Sequence, residues 1–228
     1  WVSAGSGRID LTGKPLGEAL YTRVALEKDN GPYIAVCPVN HTGDRHSPSA
    51  WKMTNAMPSW SWTGCEGQEA SIEVYARAAR VELWLNGRII GRKALKNDCL
   101  AKFSVTYEPG RLEAVSYDAQ GCELGRCTLT TAGQQTQITA GPEQSSVQAG
   151  HLCYIRLRYT DEKGITKPLA RGNIKVEVDG GTLVGLGNAC PYHERSYLDC
   201  VADTYYGEAL AIVRAGEGNS LTLTADDG

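Results

Sequence analysis

From Ala70 onward, apolar side chains alternate with other residues, a pattern that few kinds of fold can accommodate. Within residues 72–76 and 81–85, small or branched apolar side chains occupy every second position, and Glu, Tyr or Trp stands between them. Because successive side chains of a strand point to opposite faces, this period predicts strands that bury one face. Asn86-Gly87 follows the second run and supplies two residues that tolerate positive φ, which predicts a tight hairpin turn.

The same rhythm continues through residue 131. Further apolar or alternating runs are separated by the turn signals Glu108-Pro-Gly110 and Asp118-Ala-Gln-Gly121. These runs are 100–107, 111–117 and 127–131. Six or seven short strands with a turn signal about every 8 to 12 residues are the pattern of an immunoglobulin-like sandwich. We therefore predict a first β-sandwich over residues 60–133.

After Ala132-Gly133 the strand pattern starts again without repeating an earlier motif. The runs that carry it lie around Ile138 and Val147 and at 152–159, 174–178, 180–185, 209–213 and 221–223. Residues 134–228 are therefore predicted to form a second sandwich, and the chain is interpreted as two domains and not as an internal repeat. The predicted fold class is all-β, with two consecutive immunoglobulin-like β-sandwiches.

Residues 1–59 have a different pattern from the rest of the chain. Leu16, Leu20 and Val24 recur at four-residue steps, which predicts an amphipathic helix that ends at Gly31-Pro32. A short apolar strand at 33–36 and a polar connecting stretch are predicted to follow. The apolar stripe is expected either to fold back on the first sandwich or to remain exposed and promote association.

Composition excludes several classes of protein. The chain has 23 basic and 26 acidic residues, a net charge of -3 and 42% hydrophobic residues, which is typical of a soluble globular protein. This charge gives no electrostatic reason to expect nucleic acid or an anionic membrane as a partner. No run approaches 18 uncharged apolar residues, so a bilayer span is not expected either.

The eight cysteines bear on the cellular compartment. No C-x-x-C pair occurs, and Cys37 and Cys153 lie inside apolar runs, where a thiol behaves as a small buried hydrophobe. Reduced, structural cysteines and a reducing compartment are predicted. A cytoplasmic location is therefore favoured, while a secreted or periplasmic location stays open.

Two groups of residues contain metal-ligand types at close spacing. They are Cys190, His193 and Cys200, and His41, Asp44 and His46. Both lie in segments with a loop-like composition and lack paired ligand spacing or an evident further ligand, so we predict no metal and no cofactor. An adhesin-like structural module with a bound cation is a further alternative.

The sequence contains none of the motifs G-x-S-x-G, H-E-x-x-H or the P-loop. Gly185-Leu-Gly187 is interpreted as a tight strand turn and not as part of a dinucleotide-binding motif. The carboxylate pairs Glu66 with Glu69 and Asp226 with Asp227 lie in predicted turns or at a terminus. No catalytic residue is therefore assigned.

Tryptophans form the most suggestive surface feature. Trp51, Trp60 and Trp62 fall within twelve residues, and exposed indole rings can stack on the apolar faces of sugars. The chain would then be a carbohydrate-binding module. The alternative is that these rings fill the joint between the amino-terminal segment and the first sandwich. Trp84 is out of phase with its apolar neighbours and is predicted to lie on the opposite sheet face, where it could cover a domain contact.

Several motifs carry a family resemblance. The segment Trp60-Ser-Trp-Thr-Gly-Cys-Glu-Gly-Gln-Glu69, the run Val81-Glu-Leu-Trp-Leu-Asn-Gly87 and Tyr107-Glu-Pro-Gly110 resemble a domain found after the catalytic barrel of bacterial glycoside hydrolase family 2 enzymes, chiefly β-galactosidases. Residues 145–215 resemble the immunoglobulin-like domain that comes next in those enzymes. The opening residues 7–15 and the following helix resemble the end of the family's TIM barrel.

The resemblance implies that catalysis belongs to two barrel glutamates, about 5 Å apart, upstream of Trp1. No glutamate of this chain, Glu18 included, is assigned to either role. The chain is expected to be a non-catalytic accessory fragment whose partners are the barrel and amino-terminal domains of the parent. The parent is expected to hydrolyse terminal β-galactosides or related sugars. Contact with carbohydrate and homo-oligomerisation stay open.

Overall fold

The fold is described from a computed structural model, which covers residues 8–42, 52–192 and 195–227. The chain divides after Thr131 into two compact units. We call the described residues from Arg8 to Thr131 the first unit and those from Ala132 onward the second unit. The part of the chain that the structure describes has no helix with the length and hydrophobicity of a membrane span.

The described residues of the first unit form one α-helix, one short 3₁₀ turn and seven strands. They are α1 (Gly17–Ala25), β1 (Tyr33–Val36), the 3₁₀ turn (Val39–His41), β2 (Glu69–Tyr75), β3 (Arg80–Leu85), β4 (Arg88–Ala94), β5 (Leu100–Thr106), β6 (Arg111–Tyr117) and β7 (Glu123–Thr130). The strands form two antiparallel sheets with the orders β1-β2-β5 and β4-β3-β6-β7. The alternation at 72–76 and 81–85 therefore falls in β2 and β3, as predicted, except that Ala76 directly follows β2.

The apolar positions of this alternation are buried. Ile72 and Val74 in one sheet and Leu83 in the other are fully buried. The two sheets approach closely, since a Cβ added to Gly91 of β4 would lie 2.6 Å from the ring of Phe103 in β5. Burial of one face of each strand supplies the hydrophobic stabilisation of this unit.

The helix covers the other face of the three-stranded sheet. Val24 of α1 is fully buried in a cluster with Ala35, Tyr75 and Cys99, and Leu20 packs against the same cluster. The apolar stripe thus folds back on the strands, which was one of the two predicted outcomes. Because α1 covers this face, outward-pointing residues of β2 are buried as well.

Seven strands are present in the part of the second unit that the structure describes. They are β8 (Gln137–Pro142), β9 (Leu152–Thr160), β10 (Asn173–Asp179), β11 (Gly181–Gly187), β12 (Val201–Asp203), β13 (Glu208–Ala215) and β14 (Thr222–Asp227). Their sheets have the orders β12-β10-β14 and β11-β13-β9-β8. One core cluster takes residues from both sheets, including Leu157 of β9, Ile174 of β10 and Val213 of β13.

The all-β fold class is confirmed, and paired sheets in both units are consistent with sandwich domains. The assignment of α1 to the end of a TIM barrel stays a prediction, as do the domain limits 1–59, 60–133 and 134–228. Strand β1, from the predicted amino-terminal segment, pairs with β2 of the first unit. Gly185 and Gly187 lie within strand β11, and Val147 lies outside the strands.

Candidate functional site

Two of the three candidate sugar-binding tryptophans lie in the interior of the first unit. Trp60 is 1% exposed and Trp62 is fully buried. Trp51 lies outside the described residues. The predicted exposure is therefore wrong for Trp60 and Trp62, because both rings pack inside the unit, while carbohydrate binding itself stays a prediction.

The buried tryptophans are held by the Tyr107-Glu-Pro-Gly110 turn. The rings of Trp60 and Tyr107 meet edge to face, with centroids 4.8 Å apart. The indole Nε1 of Trp60 donates to the carbonyl of Glu108 at 3.1 Å. The backbone N–H of Trp62 donates to the Tyr107 hydroxyl at 2.9 Å, and burial raises the pKa of that hydroxyl. This cluster joins two segments that are far apart in sequence.

The Asn86-Gly87 hairpin turn and Thr131 add further hydrogen bonds to this tryptophan–tyrosine cluster. The Asn86 side chain donates to the Pro109 carbonyl at 3.0 Å and accepts from the Arg111 N–H at 2.9 Å. Thr131 Oγ1 donates to the Trp60 carbonyl at 2.7 Å and accepts from the Gly110 N–H at 3.0 Å. The sequence motifs that carried the family resemblance in this unit therefore meet in space, and their contacts are structural.

A second polar cluster lies beneath α1. Glu73 is 4% exposed, accepts a hydrogen bond of 2.6 Å from the Tyr75 hydroxyl and pairs with Lys102 at 3.0 Å. Glu18, also buried, accepts from the backbone N–H groups of Met53 and Thr54. Each carboxylate therefore has partners in place, as buried charges require.

The electrostatics of this cluster do not favour nucleophilic chemistry. Burial, and then the charge of Glu73, raises the pKa of the Cys37 thiol. Burial and Glu73 also raise the pKa of the Tyr75 hydroxyl far above its ordinary range. A thiol that stays protonated is a poor nucleophile. The cluster is suited to fastening α1 and the segment after residue 52 to the sheet.

The outward face of the four-stranded sheet in the first unit carries Trp84, as its phase predicted. Glu82 and Glu113, on the same face, are both less than a tenth exposed. Arg92 pairs with Glu82 at 2.9 Å, and Arg126 pairs with Glu113 at 3.0 Å. The Trp84 indole Nε1 is buried without a hydrogen-bond partner among the described residues. The alternation correctly predicts the direction of these side chains, but it carries no signal for their burial beneath arginines.

The two groups of metal-ligand residue types, for which no metal was predicted, are only partly described. Asp44, His46 and His193 lie outside the described residues. His41 is the last residue of the 3₁₀ turn and is exposed. Cys190 is half-buried and Cys200 is exposed. Within residues 8–42, 52–192 and 195–227, no group of three or more ligand-type side chains is close enough to hold a metal ion.

Among the described residues of the first unit, the amino-terminal segment presents the most exposed large apolar side chains. Ile9, Leu11, Leu26 and Met53 are 58 to 69% exposed, and we call these four residues the amino-terminal apolar surface. In the described part of the unit, Leu124 is the one other large apolar side chain in this class, at 48%. Exposed apolar side chains that form one contiguous patch mark a surface that another molecule or domain covers, whereas single ones are ordinary. The sequence pattern predicted the helical stripe but not these residues: Val24 of the stripe is buried and Leu16 and Leu20 are half-buried, whereas the four exposed side chains lie outside it.

Two family models match the chain, one in each unit. Residues 67–125 match a domain of unknown function (DUF4982). Residues 137–227 match the glycoside hydrolase family 2 C-terminal domain 5.

Solved structures share the fold over nearly the whole chain. A glycosyl hydrolase family 2 member from Bacteroides cellulosilyticus is 27% identical, with a TM-score of 0.84 over 96% of this chain and 30% of its own. A β-glycosidase from Bacteroides vulgatus is 21% identical and shows the same fold, with a TM-score of 0.75 over 97% of this chain and 26% of its own.

A curated relative, a putative β-glucuronidase from Formosa agariphila, is 33% identical over 90 residues. That match covers 38% of this chain and 9% of the relative. The chain thus spans less than a third of the length of each of these proteins.

Proposed function

Because this chain is the C-terminal region of a glycoside hydrolase family 2 protein, we propose that it is a non-catalytic accessory region that supports the parent's catalytic domain. The observation that carries this proposal is the amino-terminal apolar surface. Ile9 and Leu11 lie on residues 7–15, and Leu26 at the end of the following helix, which together resemble the end of a barrel; Met53 lies on the connecting stretch, and each of the four is more than half exposed. Covering them with a barrel would remove apolar area from water, at about 25 cal/mol per Å².

For the parent, we propose hydrolysis of terminal β-glycosides. The relatives support this class, since one is named a putative β-glucuronidase and another a β-glycosidase. These names do not favour the β-galactosides that the sequence resemblance implied. We therefore propose β-glucuronides and β-galactosides as the two substrates between which an assay of the parent must decide.

The first test measures activity of the chain alone. The purified 228-residue chain is incubated with 4-nitrophenyl β-glucuronide and, separately, with 4-nitrophenyl β-galactoside. We expect no turnover of either compound above a buffer blank, because every buried glutamate described in the first unit is occupied by structural partners. Hydrolysis at a rate comparable to that of an intact family 2 enzyme would contradict a non-catalytic role.

The second test measures docking. The parent's barrel is produced as a separate polypeptide, and its affinity for the chain is measured by calorimetry. A variant with Ile9, Leu11, Leu26 and Met53 each changed to Ser is expected to bind at least tenfold more weakly. The matched control is Leu124→Ser, which removes an exposed leucine elsewhere on the same unit. Equal affinities of all three proteins would exclude the amino-terminal apolar surface from the contact.

We also propose that the protein works in a reducing compartment. All eight cysteines are unpaired in the structure, and burial raises the pKa of Cys127 as well as that of Cys37. Titration of the denatured protein, isolated from its native cell under alkylating conditions, should count eight thiols. A count of six or fewer would favour an oxidising compartment instead.

A further inference from the structure

A cavity of about 380 Å³ opens within the second unit. It lies at the seam where β8 and β14, the edge strands of the two sheets, face one another. The loops after β8 and before β14 form its rim. Cavities of this size are within the usual range for small-molecule sites.

The floor of the cavity is the end of the unit's hydrophobic core. Cys153 and Ile155 of β9 are each 6% exposed and belong to the core cluster. Val147, Leu221 and Leu223 pack against that cluster and also line the cavity. The core therefore continues to the surface at this seam instead of being closed by side chains.

The rim supplies polar groups without charge. Ser145, Ser146, Asn219 and Ser220 line it, and every described residue that lines the cavity is uncharged. Within the described chain, no protein group hydrogen-bonds the side chains of Ser146 and Asn219, so their hydroxyl and amide groups are available to a ligand. Burying an ion here would leave it without a countercharge, which is strongly unfavourable.

From this combination we infer that the cavity binds an uncharged amphipathic glycoside, with its alkyl or aryl group on the apolar floor and its hydroxyl groups at the serine and asparagine rim. The inference does not rest on the activity of the parent, since every group that it uses belongs to the second unit.

The probe is hexyl β-D-glucopyranoside, titrated into the 228-residue chain by calorimetry. We expect saturable 1:1 binding with a Kd on the order of 0.1–1 mM, as suits a ligand of this size. Glucose lacks the apolar group and hexanoate carries a charge, so each is expected to bind at least tenfold more weakly. Equal binding of glucose would refute the role of the floor, and equal binding of hexanoate would refute selection against charge.

A cavity-filling variant and a matched control test whether binding is located in the cavity. Val147→Phe fills the cavity and should weaken binding at least tenfold. Val184→Phe, on β11 away from the cavity, should bind as the unsubstituted chain does. If Val147→Phe does not fold, Asn219→Ala serves instead, because Asn219 is exposed and its loss should weaken binding about fivefold. Unchanged binding in a folded Val147→Phe or in Asn219→Ala would overturn the proposal.

Cys153 provides a second readout that is independent of affinity. Its rate of alkylation by iodoacetamide is followed by peptide mass spectrometry with and without saturating hexyl glucoside. Binding on the floor should slow labelling of Cys153 at least fivefold and leave the exposed Cys200 unaffected. An unchanged Cys153 rate at saturation would place the ligand elsewhere.

Discussion

At the scale of single residues, Tyr107 shows how one hydroxyl can join two distant segments. It accepts from the Trp62 N–H at 2.9 Å inside a region where Trp62 is fully buried. Removing the hydroxyl therefore leaves a buried donor without a partner, which costs more than the hydrogen bond contributes.

We predict that Tyr107→Phe lowers the free energy of unfolding of the first unit by about 1–3 kcal/mol. Urea denaturation followed by tryptophan fluorescence measures this, since Trp60 and Trp62 report on the site. Tyr154→Phe, which removes a hydroxyl from a side chain that is 38% exposed in the second unit, is the control and should change little. A loss below 0.5 kcal/mol, as is usual for surface changes, would mean that the Trp62 N–H finds another acceptor.

In the second unit, Asp161 also joins separate segments, but it does so through a carboxylate instead of a hydroxyl. It is 1% exposed, and its carboxylate accepts from the N–H groups of Gly133 at 2.7 Å, Ile165 at 2.8 Å and Lys163 at 2.9 Å. Burial alone would raise the pKa of Asp161, but these donors outweigh burial and lower it.

The direction of this shift fixes a pH dependence. A carboxyl with a lower pKa in the folded state stabilises the fold above its unfolded pKa, near 4, and this contribution is lost as pH falls through the folded pKa. We predict that Asp161→Asn is less stable to urea than the unsubstituted chain at pH 6, and that this difference in stability shrinks steadily toward pH 2. Urea midpoints at each pH measure it, with Glu217→Gln at an exposed position as control. A difference that stays constant with pH would exclude the charge as its source.

At the scale of elements, the β3–β4 hairpin depends on the conformation and the side chain of one residue. Asn86 and Gly87 have φ of 51° and 77°, the left-handed conformations that a two-residue hairpin turn requires. The Asn86 side chain also ties this turn to Pro109 and Arg111.

We predict that Asn86→Ala lowers the free energy of unfolding of the first unit by about 2 kcal/mol, from left-handed strain and two lost hydrogen bonds. Asn86→Asp keeps the acceptor for the Arg111 N–H and tolerates the turn, so it should recover part of the loss. Thermal unfolding of both variants gives the comparison. If alanine and aspartate are equally unstable, the side-chain hydrogen bonds do not contribute.

Strands with regular alternation could be predicted from sequence, because period two is the signature of one buried face. Strand β1 was predicted at 33–36 and β6 at 111–117, which are the observed bounds. Strand β12 was not predicted, because three residues are too few to establish a period. Its pairing with β10 depends on tertiary contacts instead.

The candidate site was less predictable, for a related reason. Alternation predicts which face of the sheet a side chain points to, but not which other residues cover that side chain. Glu73 was expected to face outward and does, yet α1 and Lys102 bury it. Trp60 lies outside any strand, so no period could indicate that Tyr107, from a turn 47 residues later, would enclose it.

At the scale of the whole molecule, solution behaviour depends on surface that the fold leaves exposed. The four residues of the amino-terminal apolar surface are 58 to 69% exposed, although the adjacent helix buries Val24 completely. The net charge of -3 is small for 228 residues and opposes association only weakly.

We therefore predict that the isolated chain self-associates as its concentration rises from about 1 to 100 µM, a range in which weak apolar contacts become populated. Ammonium sulfate should strengthen this association, because excluded salts favour burial of apolar surface, whereas association through ion pairs would weaken with added salt. Sedimentation velocity measures the mass distribution at each concentration. The variant in which Ile9, Leu11, Leu26 and Met53 are each changed to Ser should remain monomeric. Leu124→Ser should associate as the unsubstituted chain does. If the unsubstituted 228-residue chain stays monomeric at every concentration, these side chains are too dispersed to form a contact without the barrel.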